Sequence, residues 1–479
     1  MSDTYFIGVD LGTQGLRVVI LDEKGTIIAN AEQGFILSPA MRMEQDPGEW
    51  WTICRSCLSK AAAQLQPEQR NRIRAVAVDS TSGTVIPMDQ QYRPLHPAIM
   101  YSDQRSGAQA KKCTAAAQQF QSHGFTGFST STGLSKMVWF AETFPEKAAH
   151  IFKWIHAADF ITGKLCGVWN VTDYTNVLKS GYDLSALKWP DYISETLGIK
   201  KEWLQEVQPS GTVIGKLTAD LANELGLPAD VAVTTGITDG CASQVASGAI
   251  KPGQWNTTIG TTMVIKGVTE KEIIDPLNRL YNHRHPAGYW MPGGAGNIGA
   301  DWVSAGFKEE LEHYNQSAVS LTPTGRVAYP LIQKGERFPF VAPEAKGFGP
   351  EDVSKEMLYT ANMEGVAFAE RYAYELIELL SGEKVEAIYT AGGASNSDSW
   401  LQIRSDVLQK PVYKMKYVSG AVGAAIVAAS TTCFKDITEA TIALTQAEKW
   451  VQPRTVLKQQ YDDQYRLFLE IMKERGFIN

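Results

Sequence analysis

The sequence predicts an α/β protein with two domains. Two apolar runs in the first half predict buried strands, and a helix-breaking segment after them predicts a domain boundary. Residues 73–78 and 231–235 are near-continuous apolar runs, which is the pattern of strands covered on both faces. Both runs end in loops of small and polar residues, and ligands gather at such carboxyl ends of strands in open α/β sheets. The helix-breaking Lys251-Pro252-Gly253 places a boundary near residue 250, so 1–250 and 251–479 are the expected domains.

Local patterns predict the other elements in chain order. Strands at 5–10 and 16–21 are expected to form a hairpin. Asp46 begins a helix that runs to about residue 65, because aspartate caps a helix N-terminus and Pro47 fits the first helical position. The remaining expected elements are a strand at 26–29, a helix at 241–248, strands within 255–267, a helix at 357–380, a strand at 387–390, and helices at 399–409 and 459–473.

Size and charge restrict the class of ligand. A chain of 479 residues with 44% hydrophobic residues can bury substantial cores. Its net charge of −7 provides no basic stripe for a phosphate backbone, which disfavours nucleic acid and favours a small ligand. Residues 1–4 lack the cationic start of a secretion signal, and the small apolar run 421–430 is shorter than the roughly 20 residues that span a bilayer. We therefore expect a cytoplasmic protein without nucleic-acid or membrane partners.

Three loops have the composition of phosphate-binding turns. They are Asp10-Leu11-Gly12-Thr13-Gln14, Gly260-Thr261-Thr262 and Gly392-Gly393. Glycine lets the backbone approach a phosphate, amide and threonine hydroxyl groups donate to its oxygens, and a carboxylate such as Asp10 holds Mg²⁺ directly or through water. Since Asp-x-Gly-Thr also occurs in ordinary turns and in aspartic proteases, the first loop alone leaves these alternatives open. Three such loops in one chain indicate two similar halves that bind one nucleotide.

Asp239 is the candidate for proton chemistry. It follows the second apolar run, within Gly236-Ile237-Thr238-Asp239-Gly240. A carboxylate at that place can accept the proton of an alcohol while a phosphoryl group is transferred to the alcohol oxygen. Its position just before the helix expected at 241–248 also fits a helix N-cap, and a metal-binding role is a third alternative.

Taken together, motifs along nearly the whole chain resemble the FGGY family of carbohydrate kinases. They are Gln45-Asp46-Pro47 with Trp50-Trp51, then Thr132-Gly133-Leu134-Ser135-Lys136-Met137-Val138-Trp139, and finally Tyr389-Thr390-Ala391-Gly392-Gly393-Ala394-Ser395 followed by Gln402, Ser405-Asp406 and Pro411-Val412. The resemblance implies two ribonuclease-H-like, actin-like domains with a cleft between them that closes over ATP and a sugar. It also implies a phosphotransferase with ATP and Mg²⁺ as cofactors.

The resemblance assigns roles to single residues. Asp10 becomes the Mg²⁺-associated carboxylate and Asp239 the general base, which overrides the N-cap alternative for Asp239 although it can serve both ends. The residues implied at the phosphates and the adenosine are Gly12, Thr13, Gln14, Gly260, Thr261, Gly392, Gly393, Asn396 and Ser397.

The loop after the first apolar run carries most of the information on the sugar. Asp79-Ser80-Thr81-Ser82-Gly83-Thr84 lacks the Gln-Met-His-Gly segment of D-xylulose kinases and the Arg-Glu pair of glycerol kinases, and it resembles the Thr-Ser loop of ribulose kinases. Residues 170–183 further resemble a stretch of a short D-ribulose kinase group once labelled xylulose kinase-like. D-Ribulose, phosphorylated at its terminal hydroxyl, is therefore the expected acceptor.

In that interpretation five side chains or backbone positions border the sugar besides Asp239. They are Thr81, Ser82, Gly83, Tyr101 and Asp103. A local salt bridge between Asp103 and Arg105 is the alternative for that pair. D-Xylulose, another ketose or a polyol are alternative acceptors, and a catalytically inactive actin-like sugar or ATP sensor is the alternative from another class. A homodimer is expected only from the family.

Overall fold

The structure, a computed structural model, describes residues 4–36, 38–120, 125 and 127–478. Residues 1–3, which enter the expectation about a secretion signal, lie outside the described residues. The chain forms two compact units: unit 1 contains the chain up to Ala246, His283–Gly288 and Tyr417–Thr445, and unit 2 contains Ser247–Asn282, Tyr289–Lys416 and the chain from Gln446 onwards. The expected second domain, 251–479, thus contains two segments that lie in unit 1, His283–Gly288 and Tyr417–Thr445.

Strands and helices alternate along both units. Within the described residues the strands are β1 (Tyr5–Leu11), β2 (Gly15–Leu21), β3 (Ile27–Gly34), β4 (Glu44–Gln45), β5 (Ile73–Ser80), β6 (Val85–Met88), β7 (Ala98–Ile99), β8 (Lys153–His156), β9 (Val171–Asp173), β10 (Glu206–Gln208), β11 (Val213–Lys216), β12 (Ala232–Thr234), β13 (Ile237–Thr238), β14 (Gln254–Ile259), β15 (Met263–Gly267), β16 (Tyr281–Arg284), β17 (Trp290–Ala295), β18 (Ala387–Ala391), β19 (Val412–Met415) and β20 (Ala447–Val451).

The α-helices in the same part of the chain are α1 (Pro47–Ala63), α2 (Pro67–Arg70), α3 (Gly107–Phe120), α4 (Gly133–Thr143), α5 (Pro145–Ala148), α6 (Ala157–Cys166), α7 (Tyr174–Val177), α8 (Asp191–Glu195), α9 (Ala219–Leu225), α10 (Asp239–Ala246), α11 (Asp301–Gly306), α12 (Leu311–Leu321), α13 (Lys355–Ser381), α14 (Asp398–Leu408), α15 (Gly420–Ser430), α16 (Ile437–Leu444) and α17 (Lys458–Glu474). The predicted α/β fold class is therefore confirmed.

The main sheet of unit 1 has the order β11-β12-β5-β1-β2-β3. Strands β1, β2 and β3 are an antiparallel meander, β5 and β12 are parallel to β1, and β11 is antiparallel to β12. Strand β5 is buried along nearly its whole length, as its apolar run predicts. Helix α1 packs against β2 and β3, and it begins as predicted, since Asp46 Oδ1 accepts the Gly48 N–H at 2.8 Å.

The sheet of unit 2 has the equivalent order when it is listed from its other edge, β17-β15-β14-β18-β19-β20, with β14 in the place of β1 and β18 in the place of β5. Strands β14, β15 and β17 are antiparallel, β18 and β19 are parallel to β14, and β20 is antiparallel to β19. Each unit therefore has the ribonuclease-H-like sheet order that the family resemblance implies. Because the order repeats, the turn after β1 and the turn after β14 occupy equivalent places in their sheets.

Helix α15 is the element that covers the middle of the unit 1 sheet. It packs on β1, β5 and α10, and all its residues are buried. Its small side chains allow a very close approach: a Cβ built on Gly8 of β1 would overlap the Ala421 carbonyl oxygen, and one built on Gly423 would overlap the Ala242 carbonyl group of α10. Helix α15 thereby brings its N-terminus to the ends of β1 and β5.

Across 4–36, 38–120, 125 and 127–478, no helix combines the length and the apolar composition that crossing a membrane requires.

Candidate active site

Two aspartates lie side by side at the carboxyl ends of β1 and β5. These strands are parallel, and Asp10 and Asp79 are partners in their register, so their side chains project from the same face of the sheet. Both reach the N-terminus of α15, where a Cβ on Gly420 would lie 2.7 Å from Asp79 Oδ1 and 3.2 Å from Asp10 Cγ. The positive end of a helix dipole favours carboxylates at such a place.

Asp239 supplies a third carboxylate from a separate strand end. Strand β13 pairs with β5 through Ile237 opposite Asp79, and Asp239 follows directly as the first residue of α10. Its side chain is exposed, and its Oδ1 accepts the Gly240 N–H at 2.6 Å. Asp239 is therefore within the helix rather than before it, and it faces solvent beside Asp10 and Asp79.

The three carboxylates influence one another electrostatically. Burial raises the pKa of Asp10, with a hydrogen bond to Asp79 opposing the rise and the charge of Asp239 adding to it. Burial raises the pKa of Asp79 well above its usual range, and the charges of Asp10 and Asp239 raise it further. Asp79 is 0% exposed, and no other group donates a hydrogen bond to either of its oxygens. A proton on Asp79 creates the hydrogen bond to Asp10, and burial favours that state.

A divalent cation fits the carboxylates of Asp10 and Asp239 chemically. Carboxylate oxygens are the ligands that Mg²⁺ prefers, and Mg²⁺ keeps several water ligands beside one or two carboxylates. Among the described residues, no group of three or more His, Cys, Asp and Glu side chains is arranged to enclose a metal.

The turn after β1 is held so that an amide faces outward. The Gly12 N–H donates to Gly15 O at 3.0 Å and closes the turn. The Thr13 carbonyl accepts Gln45 Nε2 at 3.1 Å, and the Gln14 carbonyl accepts the Phe35 N–H at 2.9 Å. Because C=O and N–H of a trans peptide point in opposite directions, the Gln14 N–H points away from Gln45. Such an amide is suited to an anion.

The equivalent turn of unit 2 is also closed by a backbone hydrogen bond from its glycine, which spans two residues instead of three. The Gly260 N–H donates to Thr262 O at 3.0 Å, and the Gly260 carbonyl accepts the Ala300 N–H at 2.7 Å. The Thr261 carbonyl packs against Gly299, where a Cβ would overlap it, while Thr261 is itself exposed. The sequence similarity between the two Gly-Thr turns thus reflects the same place in two sheets of the same order.

The third loop follows β18. Gly392 has φ +85° and lies on the Ile259 carbonyl so closely that a Cβ would overlap it, so this position requires glycine. Gly393 has open space around it, and Asn396 is exposed. Ser397 caps α14 by accepting the Trp400 N–H at 3.2 Å, and it donates to Asn315 Oδ1 at 2.7 Å. The structure therefore gives Ser397 a structural role, and its role at the adenosine stays a prediction.

The loop after β5 is where the candidate sugar residues lie. Thr81 and Ser82 are half-buried. Gly83 has φ +85°, and a Cβ there would overlap the Ser131 carbonyl and lie 3.3 Å from Lys179 Cδ. Tyr101 donates its N–H to Thr84 Oγ1 at 3.1 Å, which ties it to the same loop. The structure thus brings Thr81, Ser82, Gly83 and Tyr101 together.

Asp103 lies nearby but is already engaged by Arg105. Its Oδ2 accepts Arg105 Nη2 at 2.6 Å and Nε at 2.9 Å, and its Oδ1 accepts the Arg105 N–H at 2.8 Å. Arg105 also donates to Glu44 and stacks on Trp139, with 4.3 Å from its guanidinium carbon to the ring centroid. The salt-bridge alternative for Asp103 and Arg105 is therefore realised, and a sugar hydroxyl would have to share these oxygens.

Sequence reasoning missed three polar residues that the structure places at this end of unit 1. The sequence places Asp79 only in a loop, and its pairing with Asp10 comes from strand register. Lys136 and Lys179 lie in motifs that assign them no role. The signal for Lys136 is a lysine within the mostly apolar run 133–140 of α4, where it is 0% exposed and donates to the Thr130 carbonyl and, at 3.4 Å, to the Tyr101 carbonyl.

Lys136 should give the folded protein a measurable pH dependence. Burial lowers its pKa to about 7 from its ordinary 10.5, with Asp103 opposing the fall and Lys179 adding to it. Between these pH values the unfolded chain binds this proton and the folded chain does not, so stability rises with pH. Against Lys136→Met, wild type should gain about 1 kcal/mol per pH unit across about pH 7 to about pH 9, read from thermal unfolding midpoints.

The exposed Lys111, on helix α3, provides the control for this comparison. Lys111→Met removes one positive charge from the surface of the same unit, and its pH profile is subtracted to correct for that loss of charge. Parallel pH profiles for wild type and Lys136→Met would contradict the buried lysine.

Comparisons with known proteins agree with this geometry. The N-terminal and C-terminal domains of the FGGY family of carbohydrate kinases match residues 5–246 and 256–432. A gluconokinase of Bacillus licheniformis is 27% identical over 450 residues, covering 88% of this chain and 86% of that protein. A xylulose kinase of Bacillus subtilis (strain 168) is 24% identical over 504 residues, covering 99% and 98%.

A solved structure shows the same fold. The crystal structure of a xyloylose kinase from Brucella ovis has a TM-score of 0.87 at 23% identity, and the match covers 98% of this chain and 99% of that one. The two family domains together account for most of the chain and contain the three carboxylates and all three glycine loops. The chain therefore belongs to the FGGY family of carbohydrate kinases, enzymes that transfer a phosphoryl group to an alcohol.

Proposed function

We propose that this kinase transfers the γ-phosphoryl group of ATP to the terminal hydroxyl of a ketopentose, with D-ribulose giving D-ribulose 5-phosphate. One observation carries the choice of acceptor. The two segments that resemble ribulose kinases, 79–84 and 170–183, are in contact, since Gly83 lies against the Lys179 side chain. Two resemblances that are far apart in sequence thus belong to one surface, and Thr81 and Ser82 offer hydroxyl groups there without a Met-His pair.

Asp239 would act as general base in this reaction. It is exposed and begins α10, so an acceptor can reach it, and a carboxylate there takes the hydroxyl proton as the phosphoryl group arrives. The outward amide of Gln14 and the turn at Gly260 and Thr261 would donate to phosphate oxygens. Gly392, Gly393 and Asn396 would border the adenosine.

Asp10 would hold Mg²⁺, with Asp239 as a second carboxylate near the same place. When bound, Mg²⁺ neutralises charge on the phosphate oxygens. The chain's own contribution is to keep Asp10 ionised and oriented, and the hydrogen bond from Asp79 supports both, because it opposes the rise in the pKa of Asp10.

D-Gluconate is the second candidate acceptor. Lys179 places a cationic side chain beside the loop at Gly83, and the buried amine of Lys136 lies close enough to feel its charge and can take up a proton when an anion binds there. A carboxylate is attracted to such a pair, and one curated relative at 27% identity is a gluconokinase. D-Xylulose is a third candidate, because another relative is a xylulose kinase at 24% identity.

An acceptor panel tests the proposal. ADP release with Mg-ATP should be measured for D-ribulose, D-xylulose, L-ribulose, glycerol and D-gluconate, with Asp239→Asn as the inactive control. We expect kcat/KM for D-ribulose to exceed the others by about tenfold or more, as a site that hydrogen-bonds a substrate hydroxyl discriminates against analogues that place it differently. Phosphorus-coupled NMR of the product should show the phosphate on the terminal oxygen.

Each other result has a definite meaning. Preference for D-gluconate would make the lysine pair the acceptor determinant, and preference for D-xylulose would show that this loop accepts that epimer. ADP release that persists in Asp239→Asn would indicate a contaminating kinase. Silence of wild type on all five acceptors would reject the ketopentose proposal.

A further inference from the structure

A buried chain of three polar side chains in unit 1 has no part in the proposed phosphoryl transfer. His156 ends β8, Asp159 lies in the first turn of α6, and Ser180 precedes α8. Their exposed fractions are 2%, 4% and 0%. The His156 Nδ1 to Asp159 Oδ2 distance is 3.0 Å, and the His156 Nε2 to Ser180 Oγ distance is 2.9 Å.

For a neutral His156 ring, the hydrogen bonds indicate which nitrogen carries the proton. Asp159 Oδ2 also accepts the His156 backbone N–H at 3.2 Å, as part of the cap of α6. A carboxylate accepts only, so Nδ1 donates to it, and Nε2 then accepts from the Ser180 hydroxyl. Thr172 Oγ1 lies 3.3 Å from Nδ1 as well. The arrangement has the order of a nucleophilic triad, but no substrate can reach a serine that is 0% exposed.

The three side chains lie beside the loop 79–84, between the strand that follows it and the first turn of α4. His156 is the register partner of Val85 across β8 and β6, and Val85 begins the strand that follows Thr84. On the other side, Ser180 ends a short turn, residues 178–180. A Cβ on Gly133 would lie 2.6 Å from Ser180 Oγ, so Ser180 packs on the first turn of α4.

The turn that ends in Ser180 carries Lys179 against the same loop. A Cβ on Gly83 would lie 3.3 Å from Lys179 Cδ, and Lys179 is half-buried, whereas its neighbours Leu178 and Ser180 are buried. Release of Ser180 would therefore let the turn move, and the alkyl chain of Lys179 would no longer lie on Gly83.

We propose that Asp159, His156 and Ser180 are positioning residues for acceptor binding, which hold the turn 178–180 so that Lys179 covers the loop at Gly83. The inference rests on the acceptor site of the proposed function and deepens it. Asp159 orients the ring, the ring holds the Ser180 hydroxyl, and the serine holds the turn. Loss of the hydrogen bonds among these three residues weakens acceptor binding and leaves ATP binding and the proton transfer to Asp239 in place.

Two substitutions of His156 separate the hydrogen bond to Asp159 from the hydrogen bond to Ser180. His156→Asn places an amide near the position of Nδ1, where it can still donate to Asp159, but it ends short of Ser180. His156→Gln reaches the position of Nε2 and can still accept from Ser180. Ser180→Ala removes the hydroxyl with little change in volume, so it keeps the test usable if a His156 variant folds poorly. Leu221→Ala, in the core of unit 1 on α9, is the control for general loss of stability.

The kinetic expectation separates KM from kcat. Ser180→Ala and His156→Asn should each raise KM for the acceptor about tenfold, the equivalent of one buried hydrogen bond, with KM for ATP and kcat within about twofold of wild type. His156→Gln should lie closer to wild type than His156→Asn. The double variant Ser180→Ala/His156→Asn should show no larger effect than either single variant, because both remove the same contact. Leu221→Ala should leave the acceptor KM unchanged.

Hydrogen exchange followed by mass spectrometry gives a readout without any acceptor. Peptides covering 176–184 should exchange faster in Ser180→Ala and His156→Asn than in wild type, and no faster in Leu221→Ala. Unchanged exchange there would overturn the inference. Faster exchange with an unchanged acceptor KM, in variants of an active wild type, would overturn the role in acceptor binding. A wild type that is silent on every acceptor would instead reject the proposed function, and the acceptor role with it, whatever the exchange shows.

Discussion

Replacing Asp239 with asparagine should lower kcat by about 10²- to 10⁴-fold, the usual contribution of a general base. The amide has nearly the same size and can no longer accept the acceptor's proton. Because Asp239 is exposed at the start of α10, the change leaves no cavity. The dissociation constant of ATP, measured by titration calorimetry, should change by less than about threefold, equivalent to well under 1 kcal/mol.

The same substitution should not destabilise the fold. The charge of Asp239 raises the pKa of both Asp10 and Asp79, so its removal relieves repulsion between carboxylates. We expect a thermal midpoint equal to that of wild type or higher. Asp230→Asn, which removes an exposed charge from the same unit, is the matched control and should keep full activity.

A different pattern would change the role of Asp239. If turnover and ATP binding fell by the same factor, the carboxylate would act mainly through the metal and its phosphates. A fall in the thermal midpoint together with activity would make it a structural residue at the start of α10.

Replacing Gly423 with alanine should destabilise the protein by about 3 kcal/mol, the upper part of the range for overpacking. Helix propensity alone gives the opposite sign, since alanine is favoured over glycine inside a helix by about 1 kcal/mol. The steric argument prevails because a Cβ on Gly423 would overlap the Ala242 carbonyl group and lie 2.7 Å from Ala242 Cα. Backbone cannot rotate away as a side chain can, so α10 and α15 must separate.

Thermal unfolding followed by circular dichroism tests this sign. If the two units unfold in separate transitions, the lower thermal midpoint of Gly423→Ala should fall by about 5 °C or more. The value of kcat should fall too, since α10 begins with Asp239. Gly306→Ala is the matched control, because Gly306 ends α11 with open space around it. A midpoint that rises in Gly423→Ala would mean that the two helices are not in backbone contact.

Much of the fold could be predicted because local signals were strong. The cap at Asp46 was confirmed together with its helix, and the apolar run at 73–78 became the buried strand β5. The expected helix at 357–380 lies within α13. These elements follow from capping and from apolar patterning, which need no knowledge of tertiary contacts.

Site residues could be predicted from the sequence only where a short motif contains them. The turns at Gly12 and Gly260 are recognisable because the equivalent strands β1 and β14 are both followed by a Gly-Thr pair. The pairing of Asp79 with Asp10 depends on the register between strands that are about 70 residues apart, and no local pattern encodes register. The partners of Asp103 likewise required the structure, since sequence alone allowed either a sugar or Arg105.

The position of α15 was beyond sequence reasoning for a related reason. Its run of small apolar residues shows that 420–430 is buried on all sides, which identifies a core helix but not the sheet that it covers. Only the contacts with β1, β5 and α10 assign it to unit 1.

That assignment has a consequence for synthesis on the ribosome. A nascent chain that has emerged as far as Ala246 already contains β1, β5 and α10, yet the helix that packs on all three is encoded nearly 180 residues later. Unit 1 therefore cannot close its core as it leaves the exit tunnel, and the apolar surface beneath α15 must stay protected while unit 2 is being made. Unit 1 is therefore completed only after most of unit 2 has been made, and the interval before its completion carries the greatest risk of aggregation.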